Sequence, residues 1–442
     1  PLATGGQEWS WSFGDAVNDG GYSVAVDGSG NVLMTGTFYG IVDFGGGPLE
    51  STHWPWLEPI DSSDAVLAKF SPAGDHLWSV NLGGTANENG RAVATDAAGN
   101  VIVAGTRFSY EVNYDGGVGK GFAYSDVFLA KFSPTGEYLW SGVYGGGDYD
   151  YATAVAVDGN GDVLLAGYFK GTATFGGAHF TSTGSNNDIF VAKYSGVDGH
   201  HLWSMTFGDL SNDVITGIAA DNADNIVVTG QFGGSINFGG GTLTTAGAFD
   251  IFIAKFSPSG AHMWSKRIGG QGNDEAGGVA VDSSGNIVLS GYFLNTVNFG
   301  GGPLTSAGVG DIFIAKYAGA NGNHLWSQRH GGVNHEYSSG VAVDGNDNVI
   351  ITGSFIGPVS FGGAEVSCIG TYDAFAAKYS ASGTYLWSEV YSGPNGQMAE
   401  SVAVKGNSDI AITGYFFTSI DFGGAYHASN GNTDIFLATT TP

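Results

Sequence analysis

The stretch GVAVDSSGNIVLSGYF (278–293), continued after a glycine-rich step by DIFIAKYAGANGNHLWS (311–327), decides how this chain is built. It holds four short apolar runs with turn-forming residues between them. In the first copy of the unit the runs are residues 23–27 (SVAVD), 32–38 (VLMTGTF), 64–70 and a segment around a Trp-Ser pair. Residues 28–31 (GSGN) turn the first run into the second. Residues 71–74 (SPAG) turn the third into the fourth, with Pro presetting φ and Gly accepting a positive φ. Each run is five to eight residues long and apolar almost throughout. That pattern predicts strands buried on both faces. We name them A, B, C and D in order.

The unit recurs seven times. Its Trp-Ser pairs begin at Trp9, Trp78, Trp140, Trp203, Trp264, Trp326 and Trp387. Eighteen residues after each Trp stands Asp27, Asp96, Asp158, Asp221, Asp282 or Asp344, with Lys405 in the last copy. Strand C opens at Asp64, Asp126, Asp188, Asp250, Asp311, Asp373 and Asp434. An aromatic precedes a glycine-rich step at Phe44, Tyr114, Phe175, Phe238, Phe299, Phe361 and Phe422.

Such sheets could stack as a solenoid or close as a ring. The chain starts inside a D strand (residues 8–14) and stops in a C strand (residues 434–440). Neither fragment is a whole blade, and together they complete one. The expected fold is therefore an all-β, seven-bladed β-propeller of four antiparallel strands per blade, with no open edge. It forms one domain over residues 1–442. The blades fall at about 15–83, 84–145, 146–208, 209–269, 270–331, 332–392 and 393–442, the last completed by 1–14.

Composition narrows the function classes. Aromatics at 13 % and charged residues at 12 % are the reverse of a disordered chain. A net charge of −27 repels a phosphate backbone, so nucleic acid is not the expected partner. Anionic membrane surfaces are disfavoured for the same reason, and no apolar run is long enough to span a bilayer. Cys368 is the one cysteine, so no intrachain disulfide can form. The chain opens Pro-Leu-Ala-Thr, without Met, as a processed chain would after removal of a secretory signal that is not present here. Few lysines, high acidity and abundant Gly, Asn, Ser and Thr point to an extracellular or cell-surface setting.

The quoted unit resembles the SBBP (seven-bladed beta-propeller) repeat of bacterial proteins, and the resemblance runs over residues 8–440. Its first half also resembles NHL-type repeats. The resemblance implies a secreted or surface bacterial protein and brings no catalytic residues with it. The seventh copy departs from the pattern at Lys405 and Thr439.

Two charged sets repeat with the blades. The strand-A aspartates vary together with Lys69, Lys131, Lys193, Lys255, Lys316 and Lys378 of strand C; the seventh copy lacks both partners. An ion pair within each blade is expected, and the seventh blade should lack it. Ten residues after each Trp stand Asp19, Glu88, Asp150, Asp213, Asp274 and Glu336, with Gln397 in the last copy. They should ring one mouth of the central channel. Two readings stand for them: acceptors for backbone N–H groups of their own loops, or a Ca²⁺ site built from carboxylates. No other cofactor is expected. The A–B turns lack the acidic ladder of a Ca²⁺ loop, and no P-loop lysine follows the Gly-Gly steps.

The expected function is non-enzymatic binding or adhesion, with a glycan or protein ligand held by loops on one face. The alternatives are a structural subunit of a surface assembly, or a propeller enzyme acting on glycans or using a quinone. The ligand site is expected on the B–C connection of the first copy, which runs twenty residues from Phe44 to Asp64 where five copies have twelve. It carries Trp54 and Trp56, and Tyr110 and Tyr114 lie in the neighbouring blade's connection. Packing of those rings on their own blade is the competing reading. Oligomeric state is not legible.

Overall fold

Strands that are apolar at nearly every position cannot leave either face in water. The computed structural model, which describes residues 6–52, 62–108, 111–113, 118–121, 124–406 and 408–441, resolves this by closing seven four-stranded antiparallel sheets into a propeller. In blade 1 the order from the axis outward is Gly20–Val26, Val32–Tyr39, Ser63–Phe70 and His76–Leu82. Strands B and C are buried at every position except Tyr39. Each hydrophobic cluster draws on two neighbouring blades. Ile102 and Leu129 of blade 2 meet Leu165 and Phe190 of blade 3. Phe13 and Leu437 of blade 7 meet Val32 and Phe70 of blade 1. Burying one such side chain stabilises by about 1.5–3 kcal/mol, so a joint built of many outweighs any single polar contact in it. Gly6–Phe13 lies antiparallel to Tyr426–Thr441, with Trp11 opposite Leu437, and completes blade 7 as the sequence predicts.

The B–C connections are more regular than expected. Each forms a small outer hairpin, as in Thr172–Thr174 with His179–Thr181. That hairpin pairs with the preceding blade's D strand, Gly145 opposite Thr174. In blades 4 and 7 it is continuous with strands B and C. The aromatics Phe44, Phe175, Phe238, Phe299, Phe361 and Phe422 are buried beneath these hairpins.

Every strand A carries a β-bulge at one repeat position. The register shifts between Gly21 and Ser23, Gly90 and Ala92, Ala152 and Ala154, Ile215 and Gly217, Ala276 and Gly278, Ser338 and Gly340, and Ala399 and Ser401. The bulged residues are Tyr22, Arg91, Thr153, Thr216, Gly277, Ser339 and Glu400. A bulge leaves one residue outside the ladder and re-aims its side chain. Facing each bulge on strand B is a glycine. A Cβ on Gly167 would sit 2.0 Å from the Tyr151 carbonyl oxygen, and one on Gly36 would sit 2.1 Å from that of Gly20.

The strand-A and strand-C charges pair inside each blade, as expected. The Nζ to Oδ2 distances are 2.9 Å for Lys69–Asp27, 2.8 Å for Lys131–Asp96, 2.6 Å for Lys193–Asp158, 2.7 Å for Lys255–Asp221, 2.8 Å for Lys316–Asp282 and 2.9 Å for Lys378–Asp344. In five of these six the same ammonium also reaches the next blade, and Lys193 instead takes a second carboxylate, Asp162. Lys69 Nζ and Trp78 Nε1 both donate to the Pro134 carbonyl, at 3.1 Å each. Lys255 and Trp264 share Gly319 in the same way, and Lys316 and Trp326 share Ala381. This latch explains why Trp and Lys recur together.

Blade 7 corrects the expectation that it lacks the pair. Lys405 Nζ pairs with Glu8 and donates to the Pro72 carbonyl at 2.8 Å. Thr439 Oγ1 donates to Glu8 at 3.2 Å. The charges have changed places: the cation comes from strand A and the carboxylate from the closing D strand. The signal was present in the sequence, since the residue before the Trp is Leu or Met in the other six copies and Glu only beside Lys405.

Candidate functional site

Seven bulges turn seven residues toward the propeller axis, six of them with a side chain and one, Gly277, without. Tyr22, Arg91, Thr153, Thr216, Gly277, Ser339 and Glu400 line a central cavity of about 280 Å³ together with the residues that follow them. Toward the face of the D–A and B–C connections it meets a space of about 390 Å³ lined by Tyr22, Arg91, Tyr151, Tyr168, Val214 and Glu400. A side pocket of about 150 Å³ between blades 7, 1 and 2 adds Tyr39, Asn89 and Tyr415.

Tyrosine dominates this mouth because two strand positions converge there: the residue after each strand-A acid, and the strand-B residue paired with it. Tyr151 faces Tyr168 across that pairing, with ring centroids 5.1 Å apart. Tyr149 stacks on Tyr151 at 6.5 Å, and Phe108 meets Tyr151 edge-on at 6.4 Å. A second arc runs through blades 5, 6 and 7. Tyr292 lies 5.0 Å from His335, and His335 lies 5.8 Å from Tyr337. The Tyr337 and Tyr415 hydroxyls both point at Met398 Sδ, at 2.8 and 3.5 Å.

The charges in the channel sit on one side of it. The Arg91 guanidinium lies over the Tyr22 ring, 4.6 Å from its centroid. Burial pushes the Glu400 carboxyl up from its ordinary value, against the pull of Arg91. Burial likewise raises the Tyr22 and Tyr168 hydroxyls, and takes Tyr415 to about 12. The mouth therefore presents neutral phenols, the Arg91 cation, the Glu400 carboxyl group and, on the blade-5 side, Glu275 against Tyr292. It can stack on a flat apolar face and trade hydrogen bonds around its edge.

The repeated acids lie behind this mouth, one at each of six blade joints with Gln397 at the seventh, and all are buried. Asp19 accepts from the backbone N–H of Asp15 and Tyr39, at 3.0 and 2.9 Å. Glu88 accepts from Gly84 at 2.7 Å, Asp150 from Gly146 at 2.8 Å and Asp213 from Asp209 at 3.1 Å. Asp274 accepts from Gly270 at 2.7 Å, and Glu336 from Gly332 at 2.8 Å. Their own backbone N–H groups bind the preceding blade: Asp19 to Thr433, Asp150 to Ser125 and Glu336 to Gly310. They thus brace loop and joint together. Among the described residues no three His, Cys, Asp or Glu side chains converge as a metal would need. Burial pushes Asp19 to about 7, Asp150 and Asp213 to about 8, Asp274 to about 6 and Glu336 to about 7.

Trp54, Trp56, Tyr110 and Tyr114 lie outside the described residues. The mouth was not singled out in the sequence, although a signal exists. The bulge position reads Tyr, Arg, Thr, Thr, Gly, Ser, Glu through the copies, while two places on, every copy has Val or Ile.

No family model matches the chain. An uncharacterised WD repeat-containing protein of Acanthamoeba polyphaga mimivirus is 26 % identical over 92 % of this chain and 36 % of its own length. The regulatory protein FlaEY of Caulobacter vibrioides is 24 % identical over 81 % of this chain and 39 % of its own. The chain thus spans little more than a third of the curated relatives it matches. Among solved structures, the WD40 domain of Neurospora crassa Pan2 is 9 % identical, with 95 % of this chain and 89 % of that one aligned at a TM-score of 0.47.

Proposed function

We propose that the protein is a non-enzymatic binding propeller, working outside the cell, that takes a glycan or protein ligand at the tyrosine-rich mouth of its channel. One observation carries this reading. The latches, the strand-B glycines and the buried aromatics recur blade after blade, whereas the seven residues turned to the axis are of six different types. A scaffold that only had to hold its own shape would have no reason to vary there. Tyrosine supplies rigid amphipathic contact area at low ordering cost. Among the described residues the ring of bulged positions holds one carboxyl group, Glu400, and a second, Glu275, stands at the mouth against Tyr292. The extracellular setting rests on composition. The test is a glycan array with parallel capture of surface proteins, comparing the native chain with Y151A/Y168A and E400Q. Binding should fall at least tenfold, about 1.4 kcal/mol or more, with little change in melting temperature. Equal binding by all three proteins would remove the mouth as the ligand site.

A further inference from the structure

The groove between blades 7 and 1, on the outer side of the ring, differs from its counterparts. It encloses about 540 Å³ and is lined by Trp11, Phe13, Phe70, Asp43, Asp75 and His76 among others. That volume falls in the usual range for ligand pockets, about 300–1,000 Å³. Its floor is fixed, since the Phe13 ring lies 4.8 Å from Phe44 and 5.6 Å from Phe70. Trp11 Nε1 donates to the Gly74 carbonyl at 2.9 Å, which orients the indole while 45 % of the residue stays exposed.

The corresponding groove between blades 4 and 5 shows what this space accepts. Lys266 holds the repeat position of Trp11 there, and its Nζ lies 5.0 Å from the centroid of Tyr317, the counterpart of Phe70. It also donates to the carbonyl of Gly322, the counterpart of Gly74. The fold thus seats an ammonium against an aromatic floor at that joint. Between blades 7 and 1 the lysine is absent, and the positions of Asn298 and Asn323 are taken by Asp43 and Asp75. Among the described residues the lining holds two carboxylates and no lysine or arginine. Burial keeps the His76 imidazole below its ordinary pKa, against the pull of Asp43, so it adds no positive charge at neutral pH. Asp43 Oδ1 accepts from the Gly45 and Gly47 N–H groups at 2.7 and 3.0 Å, which pins that carboxylate at the rim.

We propose that this groove binds a cationic side chain, an arginine or lysine on a basic peptide segment of a partner protein. An indole face is the best aromatic partner for a cation. Two carboxylates beside it add Coulombic attraction, and the net charge of −27 steers a basic segment toward the surface. The site is independent of the channel mouth.

The experiment is ¹⁹F NMR of the 5-fluorotryptophan-labelled chain, with the Trp11 line assigned from W11F. It is titrated with a tetra-arginine peptide, a tetra-lysine peptide and cellohexaose. The basic peptides should shift the Trp11 line saturably. D43N/D75N, which restores the asparagines of blade 5, should weaken their binding about tenfold or more. E50Q/D198N removes the same charge elsewhere on the surface and should change it less than about twofold. W11Q, with the residue that blade 5 carries as Gln328, should weaken the basic peptides' binding, followed on the whole chain by calorimetry. The proposal is overturned by an unmoved Trp11 line, by equal weakening in both charge variants, or by a Trp11 shift with cellohexaose alone.

Discussion

Most of the buried lysines have one acid beside them and one carbonyl across the joint, while Lys193 holds two acids, Asp158 and Asp162. Lys255 is typical: Asp221 at 2.7 Å within its own blade and Gly319 at 2.9 Å in the next. Removing one member of a buried pair leaves an uncompensated charge and costs about 3–5 kcal/mol. K255M should lower stability by that order in urea unfolding, and D221N/K255M should recover part of the loss. The carboxyl groups also set the pH profile, and the two families act in opposite directions. Burial alone would raise Asp27, Asp96, Asp221, Asp282 and Asp344, but their hydrogen bonds, led by Asn or the latch lysine, hold them below 3.8. Their contribution is present above that value and is lost as pH falls through their lowered pKa values. The joint acids Asp19, Asp150, Asp213, Asp274 and Glu336 are raised by burial to between about 6 and 8. Their contribution is complete below their ordinary values, 3.8 for Asp and 4.5 for Glu, and is lost as pH rises through 6 to 8. Melting temperature should therefore peak near pH 4–6 and fall toward pH 8.5. D150N/D213N should flatten the alkaline limb, since blade 7 already uses a neutral amide, Gln397, at this position. A melting temperature that climbs steadily to pH 8 would contradict the assignment.

At the scale of the strand, the bulge decides which side chain reaches the channel. It depends on the absence of a side chain opposite. A methyl group on Gly167 would stand 2.0 Å from the Tyr151 carbonyl oxygen and 2.6 Å from the Phe190 ring. G167A should cost about 1–3 kcal/mol or more by overpacking and draw Thr153 back from the axis. Gly28, where an added methyl group would meet nothing within 4 Å, should tolerate Ala within about 0.5 kcal/mol in the same denaturation assay. Strands B and C could be read from the sequence because burial on both faces leaves them uniformly apolar. The bulge could not, because a backbone carbonyl and a missing Cβ leave no hydrophobic pattern. Only the glycine inside every strand B hints at it. The outer hairpins escaped for a similar reason: three-residue strands such as Thr172–Thr174 are too short to establish an alternation. The tyrosines of the mouth arrive from two different strands, and neither strand is tyrosine-rich by itself.

For the molecule as a whole, the joints run in one direction. In each latch the donors belong to one blade and the acceptor to the C–D turn of the blade that follows, so blade 7 holds blade 1 through Trp9, Lys405 and Pro72. Between blades 6 and 7 this device is different. Blade 7 has its chain ends where the C–D turn would be, Lys378 turns instead to the Ser408 carbonyl, and Trp387 Nε1 has no partner among the described residues. The same seam places Gly6 opposite Thr441. Tension applied to those two ends would act at one extremity of a single strand pair. Its ladder bonds would then be loaded one after another, as in peeling, rather than together, as in sliding. The ring should open at its seam at low force, and the other blades should follow in discrete steps. Optical-tweezers traces of the tethered chain should show an early, short extension matching release of Gly6–Phe13, before any larger event. A first rip as long as several blades would mean that the seam is not the mechanical weak point. Held by both ends, the ring would carry, in one peeled strand, a fuse that yields before the rest of it bears load.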